Sequence, residues 1–144
     1  MKISAKTEYA CIAMLELASR YGSGEPVRIR KIAERHDVPP RFLVQILLQL
    51  KSAGLVMSTR GAAGGYHLIR PPELVSLGEV MQVIEGNSNS DSQASNASPD
   101  SPAVKALQEA WRDVEAAQRE RLQKITFAAL LEHARIHDDR MYYI

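Results

Sequence analysis

Apolar side chains recur every three or four positions along much of this chain, and the recurrence predicts its helices. Ala10, Ala13, Met14, Leu17, Ala18 and Tyr21 fall on one face of a helix running from about Lys6 to Tyr21, entered after Ser4 and stopped by Gly22. Ile29, Ile32 and Ala33 predict a short helix from Ile29 to His36, closed by the turn Asp37-Val38-Pro39-Pro40. The next helix starts near Pro40, since proline suits a first helical position, and turns Leu43, Ile46, Leu47 and Leu50 to the core. Leu55 to Thr59 and Tyr66 to Ile69 read as two strands, the second ended by Pro71-Pro72. Ser76 and Glu79 form a capping box for a helix that packs through Leu77, Val80, Met81 and Ile84.

Between Gly86 and Pro102 no sizeable apolar side chain is present, so a loop is expected there. A long helix follows from about Ala103 to Lys124. Val104, Leu107, Trp111 and Val114 alternate in steps of three and four, Gln118 interrupts, and Leu122 resumes, as on a seam between two paired helices. An ordinary core helix is the alternative. A dimer seam is favoured because the portion before it already supplies a core of its own. Thr126 caps a last helix through about His137. The expected fold is mainly α with a small β-wing, a winged helix-turn-helix plus a long dimerisation helix. Its expected divisions are a DNA-binding domain over 1–85, a loop over 86–102, the dimerisation helix over 103–124, and a C-terminal helix and tail over 125–144.

Arg-Gly-Ala-Ala-Gly-Gly-Tyr at 60 to 66 links the two strands, and its glycines permit positive backbone angles and a thin tip beside an arginine. A helix followed by a basic hairpin is how a winged helix-turn-helix grips DNA, with the arginine drawn to the minor groove. Charge supports the same reading. Net charge is only +1, yet residues 1 to 71 hold eleven Lys and Arg against five Asp and Glu, a net of +6, leaving −5 for the remainder. The first half suits a polyanion and the second half solvent or another protein. On the helix after Pro40 the face opposite the core presents Arg41, Val44, Gln45, Leu48 and Gln49. Arg41 suits a guanine or a phosphate, Gln45 an adenine, and Val44 a thymine methyl.

Thr-Glu-Tyr-Ala at 7 to 10, Ile-Ala-Glu-Arg at 32 to 35, Leu-Lys-Ser-Ala-Gly-Leu-Val at 50 to 56, the 60 to 66 hairpin, Arg-Pro-Pro at 70 to 72 and Leu-Gly-Glu-Val at 77 to 80 form a specific combination. With Trp111 and Ile125-Thr126, they make the chain resemble the Rrf family of bacterial winged-helix transcription regulators. The resemblance implies a homodimer with paired long helices, and two recognition helices and two wings on a partly palindromic site in double-stranded DNA. It places Arg41, Phe42 and Gln45 at the major groove and Arg60 in the minor groove. The DNA-binding set is then Arg28, Pro39, Arg41, Phe42, Val44, Gln45, Gln49, Lys51, Arg60, Gly61, Gly64, Gly65 and Tyr66. The dimer set is Val104, Leu107, Trp111, Val114, Gln118 and Leu122. Val44 departs from the family, in which glutamate is frequent at that position.

Many members of that family hold an iron-sulfur cluster on three cysteines within the segment matching Gly86 to Lys105, and this chain has none there. Glu8 matches an acidic position that completes ligation in some of them. Serine and asparagine do not replace thiolates, so a cluster-free member with no cofactor is expected. The one cysteine, Cys11, rules out an internal disulfide and reads as a small packing residue. His133 and His137 lie four apart, as a metal pair would, but no third ligand is evident and a solvated face explains them. No nucleophile with its base, phosphate loop or paired-carboxylate motif is present, so no enzyme is expected. The chain lacks a membrane-length apolar run and the apolar block of a signal peptide, which predicts a cytoplasmic protein. The expectation is a homodimeric repressor, switched by a regulatory protein or small ligand. Two alternatives are a winged-helix protein-interaction module whose acidic half docks a partner, and a redox sensor acting through Cys11.

Overall fold

The computed structural model describes residues 2–86 and 96–142, with side chains of the final helix described through Asp138. In chain order its elements are α1 (Ala5–Ser19), α2 (Ile29–His36), α3 (Pro40–Ser52), β1 (Val56–Thr59), β2 (Gly65–Leu68), a 3-10 turn (Pro72–Leu74), α4 (Leu77–Glu85), α5 (Pro102–Lys124) and α6 (Phe127–Tyr142). Helix α1 starts where the Ser4 hydroxyl accepts the Thr7 N–H at 3.1 Å. It ends before the expected Tyr21. The Arg20 and Tyr21 N–H groups bond three residues back, to Leu17 and Ala18. That tighter turn rotates Tyr21 off the buried line and leaves it 43% exposed.

Leu43, Ile46, Leu47 and Leu50 of α3 are buried as their spacing predicts, against Ala13, Met14 and Leu17 of α1 and Ile32 of α2. Phe127, at the first position of α6, is fully buried in the same core. Two backbone bonds bring it there: Phe127 N–H donates to the Val75 carbonyl at 3.0 Å, and Leu77 N–H to the Ile125 carbonyl at 2.8 Å. Ser76 and Thr126 thus form a two-residue antiparallel bridge. The Ser76 hydroxyl accepts the Glu79 N–H at 3.1 Å, half of the expected capping box. The Glu79 carboxylate is taken by Arg70 instead of reaching back to Ser76. Thr126 caps α6 through the Ala129 N–H at 3.1 Å, and the helix continues to Tyr142, beyond the expected His137.

Strands β1 and β2 pair antiparallel from Val56↔Leu68 to Thr59↔Gly65. A third segment, ahead of α2, joins the other edge of β2: Val27 and Tyr66 exchange both N–H···O bonds at 2.8 Å. The wing is therefore stitched to the start of the helix-turn-helix, and Val27, which lies outside every predicted element, is buried.

Helix α5 has no buried residue. The alternative of an ordinary core helix is overturned, because Leu107, Trp111 and Val114 are 55%, 59% and 50% exposed. Val104 and Leu122 are half-buried, and Gln118 is exposed. Of the loop expected over 86–102, residues 87–95 lie outside the described residues.

Candidate nucleic-acid interface

Asp37 takes a left-handed backbone at φ 54°, which ends α2 and lets the Val38 N–H bond back to the Ala33 carbonyl at 3.1 Å. Buried Val38 and the two prolines after it then redirect the chain so that α3 crosses α2 with its first turn outward. Arg41, Phe42, Val44, Gln45 and Leu48 are exposed on that side. The Phe42 ring lies 5.9 Å from that of Tyr9 on α1, and the Arg41 guanidinium sits 5.1 Å from the Phe42 ring. This relay holds the first turn of α3 to the body of the protein and limits where Arg41 can swing.

Gln49 departs from the expected face. It is half-buried, its amide oxygen is buried, and it lines a groove with Leu48, Ser52, Ala53 and Val83 that leads toward α4. The reason is angular: on a helix, position 49 lies on the same flank as Phe42 and Ala53, away from the middle of the open face. Pro39 is half-buried at the entry to α3, in the turn itself.

The wing and the start of α2 form a surface cleft of about 400 Å³, lined by Arg28, Arg60, Gly61, Gly64, Gly65 and Tyr66. Gly61 and Gly65 have φ of 102° and 154°, as the turn requires. Gly64 serves differently from the expected open tip. It is buried, and a Cβ there would stand 2.2 Å from the Thr59 carbonyl oxygen. Tyr66 is half-buried, and its backbone is committed to Val27. The Lys51 ammonium donates to Ser58 Oγ at 2.8 Å, tying the end of α3 to β1.

Two polar groups that periodicity did not reveal sit beneath this surface. Glu16 is buried on α1, where Arg35 Nη1 donates to it at 3.1 Å and His36 Nε2 lies 3.5 Å away. These contacts clamp the end of α2 onto α1. Thr7 is buried as well and donates to Glu85 at 2.9 Å. The signal that could have found Glu16 is its place on the flank of α1 that also carries Tyr9 and Ile12, next to the apolar face.

The donor set does not fit an iron-sulfur cluster. Segment 86–105 has no cysteine, and among the described residues no three His, Cys, Asp or Glu side chains gather where they could hold a metal ion. The lone thiol, Cys11, is held neutral. Burial pushes it from its ordinary 9.0 up to about 11, and the Glu8 and Glu85 carboxylates push the same way. Ligation and redox chemistry both need the thiolate, so its surroundings oppose the reading of Cys11 as a sensor. Glu8 is exposed, as are His133 and His137.

A family model described as Rrf2, an iron-dependent transcriptional regulator, matches residues 3–133. The chain belongs to the Rrf2 family. A protein of Mycobacterium tuberculosis (strain H37Rv) carrying the name of an HTH-type transcriptional regulator is 39% identical over 146 aligned positions, 96% of this chain and 90% of its own length. The structure of CymR, the global cysteine regulator of B. subtilis, superposes with a TM-score of 0.77 at 32% identity, covering 92% of this chain and 98% of that one. T. potens IscR superposes at 0.75 with 35% identity, over 93% of this chain and 88% of its own. This Rrf2 protein is a DNA-binding transcription regulator with the mainly helical, winged fold that its sequence predicted. Among its described residues no helix is long and apolar enough to cross a membrane.

Proposed function

We propose that this Rrf2 protein is a cytoplasmic, homodimeric repressor that works without an iron-sulfur cluster and without enzymatic activity. The observation that carries the reading is the pairing of two exposed surfaces. One is α3 with its open face of Arg41, Val44 and Gln45, together with the cleft that Arg28 and Arg60 line; the other is α5 with Leu107, Trp111 and Val114 uncovered. A cleft lined by two arginines suits a sugar-phosphate backbone, and an exposed arginine at the wing suits a narrow minor groove. The uncovered stripe on α5 suits a second copy, because single chains rarely leave an aromatic and two aliphatic side chains in one exposed row. Two copies would present two recognition helices, and occupancy of a site by such a dimer excludes other proteins from it.

Footprinting on genomic fragments, combined with a salt titration, tests the reading. Protected, partly palindromic sites are expected, with half-sites about 34 Å or a multiple of it apart, and affinity should fall steeply as salt rises. No protection at low salt would overturn the reading and favour a protein-docking module. Protein purified without oxygen is expected to be colourless, free of stoichiometric iron, and equally active on DNA with and without an iron chelator. A cluster absorption spectrum lost on Glu8→Ala would refute the cluster-free reading. Switching then requires a protein or small ligand that prefers one arrangement of the two recognition helices, and DNA must alter its affinity by the same factor.

A further inference from the structure

Val44 is 45% exposed and Leu48, one turn further along α3, is 51% exposed. Both belong to the same open face as Arg41 and Gln45, whereas the apolar side chains on the other side of α3 are buried. An exposed aliphatic pair in the centre of a helix face costs a soluble protein nothing by itself, but here it interrupts what would otherwise be a row of hydrogen-bonding groups. In the major groove the only apolar group on a base edge is the C5-methyl of thymine. The other features there are donors and acceptors, which an aliphatic side chain would leave unpaired, or bare C–H groups that offer no methyl to pack against.

We infer that Val44 reads thymine, through contact of its Cγ methyls with a thymine C5-methyl, and that Leu48 extends the same apolar strip. The inference rests on the reading of α3 as the major-groove element. It gives the operator a chemical character: thymine stands opposite Val44 in each half-site, flanked by bases that offer hydrogen bonds to Arg41 and Gln45. Arg41 is steadied over Phe42 at 5.1 Å, so the polar neighbours bracket Val44 from a fixed side. The strip also discriminates. Cytosine in place of thymine would present a bare C5–H where the methyl stood, so the apolar contact is lost, and an N4 donor where thymine carries its O4 acceptor.

The test uses full-length protein and duplexes selected from a random pool, then resynthesised with deoxyuridine in place of thymidine. Uracil keeps every hydrogen-bonding group of thymine and lacks only the methyl. Wild-type protein is expected to bind the thymine duplex about fourfold more tightly than one in which the contacted thymine alone is replaced, the effect of one buried methyl. Val44→Ala, an exposed position where folding is not at risk, should bind both duplexes alike. Equal binding of the two duplexes by wild-type protein overturns the inference while leaving DNA binding intact. A uracil penalty that persists in full with Val44→Ala also overturns it, since the methyl then acts through the shape of the duplex. Failure to enrich any duplex from the pool sinks the major-groove reading together with the inference.

Discussion

Arg60 is exposed at the end of β1, whereas the Lys51 ammonium already donates to Ser58. Their replacement should therefore differ in kind as well as size. Arg60→Ala should cost about 1 to 3 kcal/mol of binding on a selected duplex and less on random DNA. Lys51→Ala should cost less, act alike on any sequence, and lower the salt slope by about one. Anisotropy titrations at several salt concentrations separate the two. Cys11 offers a test of a different sort. Its thiol ionises at about 11 in the folded chain against an ordinary 9.0, so the folded protein retains a proton that the unfolded chain has lost across that interval. The stability due to this group is complete below pH 9, declines as pH rises, and is gone above about 11. Denaturant unfolding at a series of pH values should show that decline to be shallower in Cys11→Ala.

Among the elements, the wing depends on a backbone with no room to spare. Gly64→Ala would drive a methyl into the Thr59 carbonyl, so the hairpin must open, and DNA affinity should drop by at least as much as in Arg60→Ala while the helical circular dichroism is retained. The clamp between α1 and α2 is sensitive in another way. Arg35→Ala strips a donor from buried Glu16 and should cost about 1 to 3 kcal/mol in a urea unfolding experiment. How far such elements were legible depended on whether their logic was local. The apolar faces of α2 and α3 and the Ser4, Ser76 and Thr126 caps are short-range patterns, and the structure reproduces them. Val27 and Phe127 owe their burial to partners far along the chain, Tyr66 and Val75, which no periodicity encodes. The open face of α3 was readable except at its edge, where Gln49 lines a groove with Val83. Gly64 was recognisable as a turn glycine, yet the crowding that requires it is a tertiary fact.

At the scale of the whole molecule, the proposed dimer rests on the uncovered stripe on α5. Leu107→Asp or Val114→Asp places a charge where a second copy should pack, and either should convert a dimer to a monomer in light scattering at micromolar concentration. Those monomers should keep the fold, because no residue of α5 is buried within one chain. DNA affinity should fall sharply, since each half-site would then be held alone. Wild-type protein that scatters as a monomer would count against the assembly.

The bridge between Ser76 and Thr126 has mechanical consequences. It pins the far end of α5 beside the first turn of α4, and Gly78 lies so close to Gln123 that a Cβ would meet its amide at 2.7 Å. Twenty-three residues of rigid helix extend from that fulcrum, an arm of about 34 Å. A tilt of about 5° at the pinned end sweeps the other end through about 3 Å, and the reverse holds, so a modest push at the tip returns as a strong, short displacement at Val75 to Leu77. That stretch joins the wing to α4 through the turn at Pro72–Leu74. In the proposed dimer, force applied where two copies meet is thereby geared down into the segment that links the wing to α4.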